Sequence, residues 1–277
     1  MNRILLKKLI SEALEEDLGM GDLTTNSIFS EMDHAKGSFT AKAEGVVSGL
    51  DTLDLVYKSF DSEVNIELLK SDGDFVFNGD LIAQVEGPVR ALLSGERVIL
   101  NLVQHLSGIA TSTHRVLSLL DDSSITVTDT RKTLPGLRAI QKYAVTCGGG
   151  KNHRFRLDDA VMIKDNHIKA AGSVSKAIKI VRSNIGHTVK VEVETENKEQ
   201  VLEAVQFGAD IIMLDNRSPE EIKDLVEMIP DHIIVEVSGG ITPENIATYK
   251  GCGANIISLG WLTHSVKALD ISFNLNN

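Results

Sequence analysis

The sequence predicts an α/β protein in two parts: a small mixed α+β segment to about residue 107, and a parallel sheet with covering helices from about residue 125. Three observations predict it. Short apolar, β-branched runs recur at Ile125–Thr128, Ala160–Ile163, Val189–Val193, Ile211–Leu214, Ile233–Val237 and Ile256–Leu259, with helix-period patterns between them; alternation of strand and helix implies parallel pairing. Before residue 107, the strand-like stretches Ser38–Val47 and Leu81–Glu86 lie near Asp72-Gly73 and Asn78-Gly79, which are hairpin turns. Finally, 277 residues at 42% hydrophobic content are enough to bury roughly 75% of the unfolded surface, in one large domain or two smaller ones, without covalent staples.

The chain opens with an amphipathic helix, in which Arg3, Lys7, Lys8 and Glu12 interrupt Ile4, Leu5, Leu9, Ile10, Ala13 and Leu14. A secretory signal needs an unbroken apolar run there. A second helical pattern covers Leu50–Phe60. A third follows Ser94, read as its N-cap, with Val98, Ile99, Leu102, Val103 and Leu106 on an apolar stripe and Arg97, Asn101 and Gln104 on another face. In the second part, Ser218-Pro219-Glu220-Glu221 combines an N-cap, a proline at the first helical position and a capping-box glutamate, and Thr242-Pro243 repeats the cap-proline pair. No apolar stretch approaches the ~20 residues that span a bilayer. Cys147 and Cys252 form no Cys-x-x-Cys pair, which fits a reducing compartment. A cytoplasmic protein without a membrane partner is expected.

The net charge is −11, which argues against a nucleic-acid surface. It is unevenly spread: residues 131–169 hold nine Lys or Arg against three acids, a local +6, so the remaining chain carries −17. A basic basin in an acidic protein suits a small polyanion, although a solvated charged face has the same composition.

Polar residues follow each apolar run: Asp129-Thr130-Arg131-Lys132, Lys164-Asp165-Asn166-His167, Glu194, Asp215-Asn216, Ser238-Gly239-Gly240 and Ser258-Leu259-Gly260. These are the C-terminal ends of the strands, where both α/β barrels and open α/β sheets place their active sites. Arg131 and the His153-Arg154 pair are suited to carboxylates, which guanidinium groups bind as a fork. A lone triplet such as Gly148-Gly149-Gly150 more often stops a helix, but with His153-Arg154 and Arg131 nearby it reads as letting backbone amides approach an anion. Lys164 serves an anion or acts as a Schiff-base nucleophile; its structural alternative is a pair with Asp158 or Asp159. Glu194 and Asp215 end consecutive strands and suit a magnesium ion shared with substrate phosphates, or a developing positive charge. Glu192 shares the parity of Glu194 and competes for that role, and a salt bridge from Lys190 or Lys164 is the plain alternative. The Ser238 and Ser258 loops, the latter with Gly260 and His264, have the parts of a phosphate site.

Read together, Glu16-Asp17-Leu18-Gly19-Met20-Gly21-Asp22-Leu23-Thr24-Thr25, Ser94-Gly95-Glu96-Arg97, Leu106-Ser107-Gly108-Ile109-Ala110-Thr111, Thr130-Arg131-Lys132-Thr133-Leu134-Pro135-Gly136-Leu137-Arg138, Gly148-Gly149-Gly150-Lys151-Asn152-His153-Arg154, Lys164-Asp165-Asn166-His167, Val191-Glu192-Val193-Glu194, Met213-Leu214-Asp215-Asn216, Ser238-Gly239-Gly240-Ile241 and Leu262-Thr263-His264-Ser265 resemble the quinolinate phosphoribosyltransferases. The resemblance covers nearly the whole chain in order. One departure is Lys267, where the family often has proline. The resemblance implies an N-terminal α/β sandwich over residues 1–107, joined by the tail 267–277, and an incomplete, seven-stranded α/β barrel over 108–266. It implies that Arg131, His153, Arg154 and Lys164 hold the two carboxylates of quinolinate, aided by Arg97. Lys132, Glu194 and Asp215 would serve phosphoribosyl diphosphate and its Mg2+. Ser238, Gly239, Gly240, Ser258 and Gly260 would take the 5′-phosphate, with Thr130 and His264 completing the substrate set. A homodimer with Arg97 reaching the partner's site is implied as well. The nearest rival is a paralogue of this fold from molybdenum transport operons, with another substrate; more distant rivals are a Schiff-base aldolase and a non-catalytic sensor.

Overall fold

The computed structural model describes residues 2–60 and 63–276. In chain order the elements are α1 (Arg3–Leu18), α2 (Leu23–Ile28), β1 (His34–Ala41), β2 (Gly45–Val46), α3 (Asp51–Phe60), β3 (Asn65–Leu68), β4 (Phe75–Val76), β5 (Leu81–Pro88), α4 (Val89–Leu120), β6 (Thr126–Thr128), α5 (Arg138–Cys147) and β7 (Val161–Ile163). There follow α6 (Asp165–Ala171), α7 (Val174–Asn184), β8 (Val191–Thr195), α8 (Lys198–Gln206), β9 (Ile211–Asp215), α9 (Pro219–Val226), β10 (Ile234–Ser238), a 3-10 turn (Ile246–Tyr249), β11 (Ile256–Ser258), α10 (Trp261–His264) and β12 (Ile271–Asn276).

The chain divides into two compact units. The first comprises Met1–His114, Thr133–Gly149 and Leu262–Asn277. The sequence had suggested a boundary at residues 107 and 108 with only the tail returning; here 133–149 belongs to the first unit as well, because Ile140, Ala144 and Val145 of α5 are buried in its core. Its four-stranded sheet has the order β12-β1-β5-β3 and is antiparallel throughout. One stripe of α1 (Leu6, Ile10, Leu14) and the buried positions of α3 (Leu53, Val56, Tyr57) share that core with Ile82, Ala83 and Val85 of β5. Phe39 of β1 meets Phe273 of β12 with ring centroids 4.8 Å apart. The third helix starts earlier than expected. Ser94 is no N-cap but lies inside α4, its Oγ 3.0 Å from Asp22 Oδ2, because Arg90-Ala91-Leu92-Leu93 are strong helix formers that carry the helix back to Val89.

The second unit, Arg115–Lys132 and Gly150–Trp261, holds a parallel sheet of order β6-β11-β10-β9-β8-β7 with helices between the strands. Six regular strands form where seven were implied. The seventh position is a single parallel bridge from Lys151 to Thr128, since its segment is rich in glycine and polar residues and poor in β-formers. Along β8, β9 and β10 one parity (Val193, Ile212, Leu214, Val235, Val237) is at most 3% exposed and apolar. The other parity carries Glu192, Glu194, Met213, Asp215, Glu236 and Ser238.

Local signals fare unevenly. The Ser218 capping box forms as expected, with Pro219 in the first turn of α9. Thr242-Pro243 starts no α-helix: the Asn245 side chain accepts from Thr242 N at 2.8 Å and donates to Gly240 O at 2.9 Å, and this turn competes successfully with a helix. The glycine triplet is a helix stop rather than an anion cradle. Gly148 caps α5, and a Cβ there would come within 2.3 Å of Ala110 O.

Candidate active site

At the C-terminal ends of the strands, a cavity of about 420 Å³ is lined by Thr130, Arg131, Lys132, His153, Arg154, Met162, Lys164, Glu194, Met213, Asp215, Glu236, Ser238 and Ser258, all from the second unit. Strand register explains the convergence. Asp215, Ser238, Ser258 and Thr128 pair in one row across β9, β10, β11 and β6, and Glu194, Met213 and Glu236 form another across β8, β9 and β10. The basic basin read from the sequence is narrower than its composition suggested. Arg131, Lys132, Arg154 and Lys164 line the cavity, whereas Arg138 and Lys142 belong to the first unit, with Lys142 fully buried.

Lys132, Arg154 and Lys164 are fixed by different local contacts. Lys132 N donates to Thr130 Oγ1 at 3.0 Å, a short turn that follows β6. Arg154 donates from its guanidinium to Ala160 O at 2.7 Å. Burial and the neighbouring Arg131 both pull the Arg154 pKa down, against the opposing charges of Glu192 and Asp159. Lys164, the residue before α6, pairs its ammonium with Glu194 Oε2, while its backbone N–H donates to His167 Nδ1 at 2.9 Å. Its structural alternative fails in detail: Asp159 instead accepts from the Phe155 and Arg156 amides at 2.6 and 3.2 Å.

Among the carboxylates, Asp215 accepts from Asn216 Nδ2 at 2.6 Å. Burial, and then the charge of Glu194, raise the Asp215 pKa. Two oxygen donors that repel one another beside a cationic cavity form the hard donor set that suits a divalent cation bridged to phosphate. Asn216 has a left-handed backbone, φ 55°, with its amide donating to Ser238 O at 2.8 Å. Gly239 beside it has φ +88°, and a Cβ there would lie 2.3 Å from Asn216 Oδ1 and 2.9 Å from Asn216 N. Glycine is required at 239 on both counts. Gly239, Gly240 and Gly260 shape the rim loops without lining the cavity.

Two predicted residues lie elsewhere. Arg97 is exposed on α4, with Glu96 at 3.8 Å, and His264 ends α10; both belong to the first unit. Two further residues were not foreseen in the arrangement found. Glu236 is 1% exposed and Glu192 2% exposed, and their carboxylates lie 3.4 and 3.2 Å from His153 Nε2. The signal was present for Glu236: an acid interrupts the apolar run Ile233–Val237 at the parity of Ser238. Burial opposes charge on His153 and the two carboxylates favour it, which raises its pKa, while the Arg154 N–H directed at Nδ1 at 2.7 Å favours the neutral ring protonated on Nε2 alone, and this geometry decides the state of the ring. Burial, with Glu236 adding to it, raises the Glu192 pKa.

The family models described as Quinolinate phosphoribosyl transferase, N-terminal domain and C-terminal domain, match residues 22–107 and 109–274. The chain is 50% identical over 275 residues to the probable nicotinate-nucleotide pyrophosphorylase [carboxylating] of Bacillus subtilis (strain 168), covering 99% of this chain and 95% of that one. It is 43% identical to the corresponding probable enzyme of Methanocaldococcus jannaschii, covering 97% and 96% of the two chains. The crystal structure of NadC from Streptococcus pyogenes superposes with a TM-score of 0.96 at 43% identity, covering 100% and 99%. With both domain models matched in order and the relatives spanned almost end to end, the chain belongs to the quinolinate phosphoribosyltransferase family.

Proposed function

We propose that the cavity of the second unit transfers a phosphoribosyl group from phosphoribosyl diphosphate to quinolinate, giving nicotinate mononucleotide, diphosphate and carbon dioxide, a step of NAD biosynthesis. The observation that carries this reading is the convergence of Arg131, Lys132, Arg154 and Lys164 with Glu194 and Asp215 in one cavity, in a chain similar over its full length to carboxylating enzymes. The molybdenum-operon alternative loses ground to those relatives, and the ion pair of Lys164 with Glu194 gives no support to a Schiff-base role.

In this reading the pyridine nitrogen bonds to ribose C1 as the bond from C1 to diphosphate breaks through an oxocarbenium-like state. The 2-carboxylate then leaves as carbon dioxide; its bonding electron pair stays on C2, which takes up a proton. Arg131, Arg154 and Lys164 hold the two carboxylates, with His153 behind them, and so fix the ring nitrogen toward C1. Lys132 and the Ser238 and Ser258 loops receive phosphate oxygens. Magnesium, when bound, supplies charge neutralisation for the diphosphate, and Glu194 and Asp215 are the residues that would hold it. Incubation with quinolinate, phosphoribosyl diphosphate and Mg2+ should yield nicotinate mononucleotide. Nicotinate, lacking the 2-carboxylate, should be poorer by a factor of order 10³ or more, because the cations would be left unpaired; comparable efficiencies would defeat the assignment.

Arg97 and a homodimer belong to the same reading. Arg97 is exposed, so a partner subunit's site is available to it. Mixing Arg97→Ala with Lys164→Ala under subunit exchange should restore roughly a quarter of the sites if Arg97 acts across the dimer, since each heterodimer then has one site with both defects and one with neither. No recovery, with heterodimers confirmed by mass spectrometry, would rule out a shared site.

A further inference from the structure

Charged side chains at the centre of a parallel sheet are costly unless something uses them. Glu192 on β8 and Glu236 on β10 are two strands apart, yet both turn to one imidazole: His153 Nε2 lies 3.2 Å from Glu192 Oε2 and 3.4 Å from Glu236 Oε1. Glu236 Oε1 is at ion-pair distance but off the line of a hydrogen bond, and Glu192 Oε1 is buried without a hydrogen-bond partner. A structural ion pair needs one acid, so the second is in excess. Glu236 lines the cavity and Glu192 does not, and both lie below the strand ends that carry Glu194 and Ser238.

The other side of the imidazole shows what the arrangement controls. Arg154 N–H donates to His153 Nδ1 at 2.7 Å, and His153 N–H donates to Asp129 Oδ1 at 3.0 Å. The ring is thereby fastened at both nitrogens, by carboxylates from two strands on one edge and by the Arg154 backbone on the other. A nitrogen that accepts a backbone N–H leaves the ring proton on Nε2, facing the acids. That is the nitrogen a metal ion bound between His153, Glu192 and Glu236 would require, so the trio is poorly set for a metal despite its compactness. Arg154 lies in a loop, residues 152–160, that contains no regular secondary structure. Its orientation comes from such fastening together with the guanidinium's own bond to Ala160 O.

We infer that Glu192 and Glu236 are positioning residues that clamp the Nε2 edge of His153 and so set the direction in which Arg154 meets a carboxylate of the pyridine substrate. The inference rests on the role of Arg154 proposed above, and one variant separates the two. Glu192→Leu and Glu236→Leu each remove one side of the clamp and replace that acid by an apolar side chain of similar volume, while the other acid stays paired with His153, so neither variant leaves the imidazole without a partner. Glu192→Gln and Glu236→Gln retain an acceptor for Nε2–H. Arg154→Ala is the reference.

Steady-state kinetics with each substrate varied, quinolinate binding by calorimetry, and thermal melting are the measurements. We expect the Leu variants to melt within a few degrees of the parent, to raise KM and Kd for quinolinate by tenfold or more, and to leave KM for phosphoribosyl diphosphate within twofold. The Gln variants should recover most of the quinolinate affinity. A long-range 1H–15N spectrum of the imidazoles, assigned by loss of one signal in His153→Asn, should show His153 protonated on Nε2, and this signal should shift in the Leu variants. If Arg154→Ala weakens quinolinate binding but both folded Leu variants bind it within twofold of the parent, the clamp is overturned and the role of Arg154 stands. If Arg154→Ala itself leaves quinolinate binding unchanged, the role of Arg154 falls. Purified protein carrying an equivalent of metal that Glu192→Gln abolishes would also overturn the clamp.

Discussion

The interiors of the two units are built on the same alternation of side chains and differ in what the second parity carries. In the first unit the inward residues of sheet and helices are almost all Leu, Ile, Val, Phe or Ala, and their burial is the stabilising term. In the second unit only one face of each strand is of that kind. The other gathers Thr128, Glu192, Glu236 and Ser258, each at most 4% exposed, under a rim of cations and carboxylates. Ser258 Oγ and Thr128 Oγ1 are buried there without hydrogen-bond partners. The first interior also buries polar groups, Ser48 Oγ, Thr52 Oγ1 and Tyr57 Oη without partners and Lys142 fully, but only the second places two buried carboxylates directly beneath a rim of cations, where stability alone would not keep them. The comparison teaches where substitutions should act: on folding in the first unit, on turnover in the second.

The largest expected effect is on turnover. Lys164→Ala should lower kcat/KM by a factor of order 10³ while melting near the parent temperature; a folded variant with near-native activity would return Lys164 to a purely structural partner of Glu194. Leu92→Ala, at a fully buried position of the first unit, should do the opposite. It should lose about 3 kcal/mol in urea unfolding and keep kcat/KM at temperatures where it stays folded, so an activity loss without a stability loss would break the division of labour. Arg131→Lys should raise KM for quinolinate about tenfold with a smaller change for phosphoribosyl diphosphate, because an ammonium does not reproduce the guanidinium fork. Unchanged quinolinate affinity would argue against bidentate binding.

The smallest effect sharpens the comparison through pH. Burial and Glu194 raise the Asp215 pKa. The folded protein thus keeps that proton to a higher pH than the unfolded chain, so stability falls as pH rises through the interval from the ordinary aspartate value up to the raised one. Asp215→Asn removes this contribution. It should melt at least as high as the parent at neutral pH, with a flatter pH dependence of Tm just above the ordinary aspartate range, while losing activity. A lower neutral-pH Tm would show that Asp215 stabilises the fold.

Much of this was legible from the sequence because strand ends are marked by composition. Five of the six apolar runs overlap a parallel strand to within about two residues at each end, and the sixth, Val189–Val193, does so with β8 extending to Thr195. Register then brings the polar residues after those runs together without further information. Other features depend on contacts remote in sequence. The placement of α5 is decided by core partners from the first hundred residues, and the start of α4 is decided by helix propensity upstream of a serine that looked like a cap. The trio of His153, Glu192 and Glu236 was missed because an acid inside an apolar run has no local explanation; its reason is an imidazole 39 residues from one acid (192 − 153) and 83 from the other (236 − 153).

The pairing of β12 with β1, from Lys36 opposite Asn276 to Ala41 opposite Ile271, has a consequence for synthesis. A chain made from its N-terminus cannot complete this sheet until residues 271–276 have left the ribosome, so β1 waits for its partner while everything between them is made. During that interval β1 presents an unpaired edge, the kind of surface that recruits foreign strands. The second unit, closed by residue 261, needs no such wait. Chains stalled or clipped before β12 should therefore have an ordered second unit and an open sheet in the first, and short truncations beyond Leu269 should be felt as aggregation in cells well before they are felt as chemistry.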